Sequence, residues 1–225
     1  MIFLNRSDAG KRLAKALHSY RGKSDVIVLA LPRGGVPVAF EVACELGVPL
    51  DVFVVRKLGA PWQKELAMGA IASGGVVVLN KDVIESLEIA ESELERVAGE
   101  ESVELRRREL AFRGDLPAPV VANRLVILVD DGLATGATMR AAIMAVKAMK
   151  PKKLVVAVPV AARQTCDRIA AEVDQIVCVQ TPVAFEGVGQ WYADFEQTSD
   201  EEVRNLLAIA SSLRQPGAEP IRADK

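Results

Sequence analysis

The densest chemistry in the chain lies at residues 126–138. Four apolar residues, Val126, Ile127, Leu128 and Val129, run into two adjacent acids, Asp130 and Asp131, and then into Gly132, Leu133, Ala134, Thr135, Gly136, Ala137 and Thr138. A strand that ends in small residues and reopens as a helix presents consecutive backbone N–H groups. From Ala134 to Thr138 these make a cradle for a phosphate, assisted by the helix dipole. Gly136 lets the backbone approach a ligand closely, and Thr135 and Thr138 add hydroxyl donors. Two carboxylates cannot face that phosphate without repulsion. Asp130 and Asp131 should therefore accept hydrogen bonds from sugar hydroxyls, or orient a hydrated Mg²⁺. The plain alternative is a strand end with solvated acids and a capped helix, and the whole string is more specific than that. No Gly-Lys-Ser/Thr follows, so it is not a Walker loop, and GxGxxG is absent.

The elements that must hold this loop follow from an alternation of apolar runs and helical patterns. Residues 26–31, 50–55, 125–129, 154–160 and 176–179 read as buried strands, and residues 36–46, 137–149, 163–171 and 200–213 as helices. Residues 68–72 and 76–79, separated by Gly74 and Gly75, read as a short hairpin. Residues 56–61 read as a loop. Uninterrupted apolar strands joined by helices imply an α/β fold, a parallel sheet flanked by helices. Ligands then bind at the carboxyl ends of the strands. That places residues 32–35, 56–66 and 130–138 on one rim.

The string from Asp130 to Thr138 closely resembles the phosphoribosyl-diphosphate (PRPP) signature of the type I phosphoribosyltransferases. The resemblance implies that Asp130 and Asp131 bind the ribose hydroxyls and touch a metal only indirectly, through water or PRPP. It likewise implies that Ala134, Thr135, Gly136, Ala137 and Thr138 bind the 5′-phosphate, and that Mg²⁺ arrives with PRPP. Arg33, Gly34 and Gly35 stand where the family places its pyrophosphate loop. Two glycines there permit a tight or even non-proline cis turn, with Arg33 as a positive clamp. Arg56 and Lys57 stand where the family places basic residues against the diphosphate. Residues 58–66 resemble its flexible lid, with Lys64 as a lid group and Glu65 as a proton relay. Asp130, Asp131, Arg33, Lys57 and Glu65 are the catalytic candidates. Oxopurine-specific members carry Asp-Thr-Gly in the turn, whereas this chain has Ala134-Thr135-Gly136, which weakens a hypoxanthine or guanine acceptor.

Residues 181–195 concentrate aromatics in a chain with only six Phe, two Trp and two Tyr. Purine-type members of the family carry a comparable stretch against the acceptor base, and such rings can stack on a heterocycle. Phe185 and Trp191 are the acceptor-pocket candidates, and most of the other rings should pack the last helix. The expected organisation is one domain over residues 1–213, with a helical insertion at 81–121, a small C-terminal hood at 181–198 and a flexible tail at 214–225. The insertion's charged face (Glu100, Glu101, Glu104, Arg106, Arg107, Arg108) is expected to be solvated. Arg6, Asp8 and Gly10 open the first helix and carry no assigned chemistry.

Composition narrows the classes. A formal charge of −2 disfavours nucleic acid as a partner, and one histidine, His18, excludes chemistry built on histidine pairs. Cys44, Cys166 and Cys178 have no metal-ligand spacing and read as reduced core thiols of a cytoplasmic protein. No signal peptide or membrane span is expected. The expected partners are PRPP and an unidentified small-molecule acceptor, with a homodimer common in the family. The expected activity is transfer of the phosphoribosyl group to a nitrogen heterocycle or related acceptor. The main alternative is a non-catalytic PRPP or nucleotide sensor on the same fold. A methyltransferase using Asp130 for ribose hydroxyls, and a hydrolase of ribose phosphates, are the other rivals.

Overall fold

The computed structural model describes residues 1–114 and 116–213, apart from the side chains of Lys64 and Glu65. Helix α1 (Arg6–Ala16) opens the chain, and the Asn5 side chain closes its first turn by accepting the Asp8 N–H at 3.0 Å. Strand β1 (Val26–Ala30) leads into α2 (Gly35–Leu46), which stops at the left-handed Gly47. Next come β2 (Leu50–Val52), β3 (Val55–Ala60), β4 (Gln63–Ala72) and β5 (Val76–Leu79). Helices α3 (Lys81–Ser86) and α4 (Glu91–Arg113) follow over the charged stretch. The chain continues through β6 (Leu125–Val129), α5 (Ala137–Ala148), β7 (Lys153–Val160), α6 (Arg163–Ala170), β8 (Gln175–Gln180) and α7 (Asp200–Ser212). The tail expected at 214–225 lies outside the described residues.

Five strands form a parallel sheet in the order β2-β1-β6-β7-β8. Side-chain alternation divides its core. Val26, Val28 and Ala30 face a cluster with Leu13, Val42 and Val203, while Ile27 and Leu29 face Met139, Ile143 and Ile169. β1 and β6 are buried along their whole length, which is why neither shows a polar alternation in sequence. From β1 the chain winds outward to β2, and from β6 outward the other way to β7 and β8. The reversal falls between β1 and β6, the switch point where open parallel sheets hold ligands. Ala30 pairs with Val129, and the Leu31 N–H donates to the Val129 carbonyl at 2.9 Å. The segments after the two strands therefore leave the sheet side by side.

One correction concerns the strands: the run at residues 50–55 is not one strand, and residues 56–61 are not a loop. The chain leaves the parallel sheet after Val52, and β3 pairs antiparallel with β4, which pairs with β5. The bend is fixed at Val54, whose N–H donates to the Ser73 hydroxyl at 3.0 Å while its carbonyl accepts the Ser73 N–H at 2.9 Å. The apolar run hides this because both sheets bury it. Gly59, which suggested a loop, marks a register shift within the ladder. The second correction is Cys44, which is exposed. It falls outside the α2 face on which Val42, Ala43 and Leu46 are buried.

Helix α4 is tied down at its far end. Arg113 donates from Nε and Nη2 to the two Asp51 oxygens at 2.7 and 2.8 Å, and to the Leu116 and Pro117 carbonyls. Among the described residues, no helix is long and apolar enough to cross a membrane.

Candidate active site

Asp130 and Asp131 stand directly after β6, and the segment after β1 runs across them. The Pro32–Arg33 peptide is cis. A Cβ on Gly34 would collide with the Asp131 carboxylate, and one on Gly35 would lie 2.8 Å from the Val129 carbonyl oxygen. Glycine at both positions is what lets these two backbones touch.

The acids differ in their surroundings. Asp131 receives Arg6 Nε and Nη2 on one oxygen, each at 2.9 Å. Arg6 also donates to the Glu196 carbonyl at 2.6 Å and lies 3.9 Å from the centre of the Phe195 ring. The Tyr192 hydroxyl donates to the Asp131 carbonyl at 2.5 Å, and burial holds that phenol well above its usual range. Burial pushes the Asp131 carboxyl up, and the Arg6 guanidinium pulls it back. Asp130 accepts the Asp131 N–H at 2.9 Å. Burial first, and the neighbouring Asp131 second, hold its carboxyl well above the ordinary carboxylate range. A buried acid pair with one neutralising arginine is poised to accept hydrogen bonds from hydroxyls.

The turn that follows is braced from β7 and α6. The Leu133 N–H donates to the Val160 carbonyl at 2.9 Å, and the Leu133 carbonyl accepts the Ala162 N–H at 3.0 Å. Thr165 Oγ1 donates to the Ala134 carbonyl at 2.6 Å. Gly136 is left-handed, with φ of 75°, and caps α5. The first-turn amides of α5, starting at Ala137, have no carbonyl within their own helix to reach. Among the described residues, the Ala137 N–H makes a long contact of 3.4 Å, to Thr135 Oγ1.

This turn is a ridge between two cavities. On one side Ala134 and Thr135 border a cavity of about 730 Å³, closed by Arg163, Thr165, Thr181 and Phe185. On the other, Ala137 and Thr138 border one of about 680 Å³, with Pro32, Arg56, Lys57 and the α4 residue Arg96.

A family profile described as the phosphoribosyl transferase domain matches residues 4–193. The chain belongs to the phosphoribosyl transferase family. Two Mycobacterium tuberculosis proteins (strains CDC 1551 / Oshkosh and ATCC 25618 / H37Rv), each provisionally named a phosphoribosyl transferase, are 48% identical over 224 residues. That alignment covers 99% of this chain and 50% of each relative, so the chain spans about half the length of those proteins. The solved structure of TT1426 from Thermus thermophilus superposes with a TM-score of 0.84 at 43% identity, covering 92% of this chain and 98% of that one. The parallel sheet flanked by helices is the family's fold.

Within this frame the residues singled out from sequence fall in different places. Asp130, Asp131, Gly34, Gly35 and the turn from Ala134 to Thr138 share the rim at the switch point. Lys57 lines the 680 Å³ cavity, as does Arg56, whose Nε meets Glu101 at 2.6 Å. Glu101 thus leaves the solvated face expected of α4, while Arg106 and Arg107 stay on it. Arg33 Nη1 reaches Asp200 at 3.3 Å at the start of α7. Phe185 lines the 730 Å³ cavity. Trp191 packs with Phe3, Val160 and Tyr192, and its Nε1 donates to the Gln190 side-chain oxygen at 3.0 Å. Lys64 and Glu65 are side chains outside the described residues. Arg6 and Tyr192 were missed, as was Thr165. A lone arginine opening a helix carries no local signal. Its partner stands 125 residues away.

Proposed function

We propose that this chain transfers the 5-phosphoribosyl group of PRPP to a nitrogen acceptor and releases pyrophosphate. The observation that supports it most is the position of the turn from Ala134 to Thr138 between two cavities. A sugar gripped there by its 5′-phosphate meets an acceptor from the Phe185 side and sheds diphosphate toward Lys57. Asp130 and Asp131 hold the ribose hydroxyls. The acceptor is not assigned, although Ala134 in place of an acid disfavours oxopurines.

The reaction is a displacement at C1 with inversion, through a transition state of oxocarbenium character. The amides of the turn fix the phosphate end, and the two acids fix the ring, so C1 is presented in one orientation. Lys57 and Arg56 stabilise the charge that builds on the departing diphosphate once Arg56 exchanges Glu101 for it. Arg33, a short swing from Asp200, is the third cation of that group. The hairpin of β3 and β4 covers this side and keeps water from the cation.

The acid pair also fits Mg²⁺ carried by PRPP. Two carboxylates supply only part of an octahedral set, which leaves the remaining positions to water and substrate oxygens. Asp130 and Asp131 would hold such an ion through those waters, and it would supply neutralisation of the diphosphate.

The test is incubation with PRPP and Mg²⁺ against a panel of amino-heterocycles, following pyrophosphate. Release with at least one acceptor, lost in Asp131→Asn, is expected. Tight PRPP binding without release from any acceptor would replace this reading with a sensor, and absence of PRPP binding would remove both.

A further inference from the structure

Two thiols lie against each other beside the phosphate turn. Cys166 stands in α6 and Cys178 in β8, with their Sγ atoms 3.0 Å apart. Both are half-buried free thiols, and both pack against the core cluster that contains Ile169. A disulfide has its sulfurs about 2.0 Å apart. An approach of about 1 Å therefore separates this pair from a covalent link. Cys44 belongs to α2, which packs on the opposite face of the sheet.

We propose that Cys166 and Cys178 are a dithiol modification site, converted to a disulfide by hydroperoxides, and that the bond loosens the phosphate turn through α6. In the first step the Cys166 sulfur attacks a peroxide oxygen. The O–O bond breaks, Cys166 becomes a sulfenic acid, and an alcohol leaves, or water where the oxidant is hydrogen peroxide. The Cys178 sulfur then attacks that sulfenic sulfur. The S–S bond forms, the S–O bond breaks, and the thiol proton departs with the oxygen as water. Two electrons pass from the sulfurs to the peroxide. Burial and the adjacent Cys166 push the Cys178 thiol up, away from the thiolate that attack on the peroxide needs.

Helix α6 carries the effect. It has only eight residues and no side-chain cap at its start, whereas β8 is held in register by β7, with Val158 opposite Cys178. The helix is the partner that yields. Thr165, next to Cys166, donates to the Ala134 carbonyl at 2.6 Å, and its methyl lies 2.7 Å from where a Cβ on Gly136 would stand. A displacement of about 1 Å takes that hydrogen bond beyond useful length. Arg163, Gln164 and Arg168 move with it and reshape the 730 Å³ cavity.

The consequence for PRPP rests on the function proposed above, whereas the thiol chemistry and the mobility of the turn do not. The experiment uses the full chain carrying Cys44→Ser, treated with hydrogen peroxide and then alkylated. Expected are a loss of about 2 Da, a Cys166–Cys178 cross-linked peptide, and reversal by dithiothreitol. Amide exchange across residues 133–138 should quicken about 10-fold, and PRPP affinity should fall by about 10-fold. Cys178→Ser and Cys166→Ala should each abolish all of these responses, and either variant suffices if the other does not fold. Full alkylation of both sulfurs after oxidant, or sulfinic acid on one, would overturn the site. A cross-link with unchanged exchange at the turn would overturn the coupling. A cross-link with faster exchange but no PRPP binding in either redox state would sink the PRPP reading and leave this inference standing.

Discussion

Arg6 Nε and Nη2 converge on a single oxygen of Asp131, Oδ2, at 2.9 Å each, across 125 residues of sequence. The pair is largely enclosed, with the two side chains 12% and 15% exposed. Such a contact favours the ionised form of Asp131 and offsets part of the upward pull of burial. In Arg6→Ala the paired acids should retain a proton near neutrality, and PRPP affinity should drop by about 10- to 100-fold, about 1.4–2.7 kcal/mol. The loss should shrink as pH rises and the acids ionise unaided. Arg6→Lys keeps the charge without the forked geometry and should recover part of the affinity. Calorimetric titration of PRPP at several pH values decides it, and a loss independent of pH would refute the role.

Asp130 offers a second test with a defined sign. Its carboxyl is held above the ordinary range by burial and by Asp131. A carboxyl raised in the folded state binds its proton more tightly there than in the unfolded chain. Stability from this group is therefore greatest below the ordinary Asp value of about 3.9 and declines as pH rises toward the folded value. Asp130→Asn should raise the melting temperature of the ligand-free protein at neutral pH, with the gain fading below about pH 4. The same substitution should reduce PRPP binding. Wild-type protein should release protons on binding PRPP near its raised value, seen as a buffer-dependent heat. A melting temperature lowered at neutral pH would contradict the assignment.

The sheet was legible because buried parallel strands announce themselves. Residues 125–129 and 26–31 are unbroken apolar runs, and each ends in residues that only a turn explains. The strand end and helix start around Asp130 to Thr138 were equally clear, since an apolar run stopped by paired acids and small residues before a helical pattern marks a turn. Of the antiparallel arm, only the hairpin of residues 68–72 and 76–79 was legible. Arg56 and Lys57 read as a loop in sequence, yet they sit in a ladder, and Arg56 is satisfied by Glu101 from α4. Arg6 was invisible for the same reason. Its meaning lies in a partner that only tertiary structure supplies.

Gly136 is left-handed, and a Cβ there would stand 2.7 Å from the Thr165 methyl. Gly136→Ala should therefore cost about 1–2 kcal/mol from backbone strain alone, and more if Thr165 cannot yield. Because Thr165 braces Ala134, the turn should lose PRPP affinity by a larger factor than global stability predicts. Urea unfolding and PRPP titration on the same sample separate the two. Equal stability in the variant would mean the turn tolerates a side chain, contrary to this geometry.

Arg113 ties the end of α4 to β2. It is 4% exposed, and its bidentate partner Asp51 is 24% exposed. Arg113→Ala leaves Asp51 and the Leu116 and Pro117 carbonyls without their donor, and should cost about 2–4 kcal/mol. Arg113→Lys should restore less than half, since one ammonium cannot reproduce the fork. The shift in urea midpoint measures it. An unchanged midpoint would show that α4 docks through its apolar residues, Leu105 and Phe112, alone.

Trp62 stands at the bend between β3 and β4 with 80% of its surface in solvent, while Trp191 is partly buried against the aromatic cluster. If the arm folds over the diphosphate side to exclude water, Trp62 is the side chain that changes environment most. PRPP with Mg²⁺ should then shift its emission to the blue and reduce quenching by iodide about twofold or more. The response should vanish in Trp62→Phe while PRPP still binds. Trp62→Ala should hydrolyse PRPP faster relative to transfer, because an arm without its apolar tip seals the site less well. Iodide quenching that does not change under saturating PRPP would mean that the arm stays open, and the exclusion of water must then come from α4 and its Arg56–Glu101 contact.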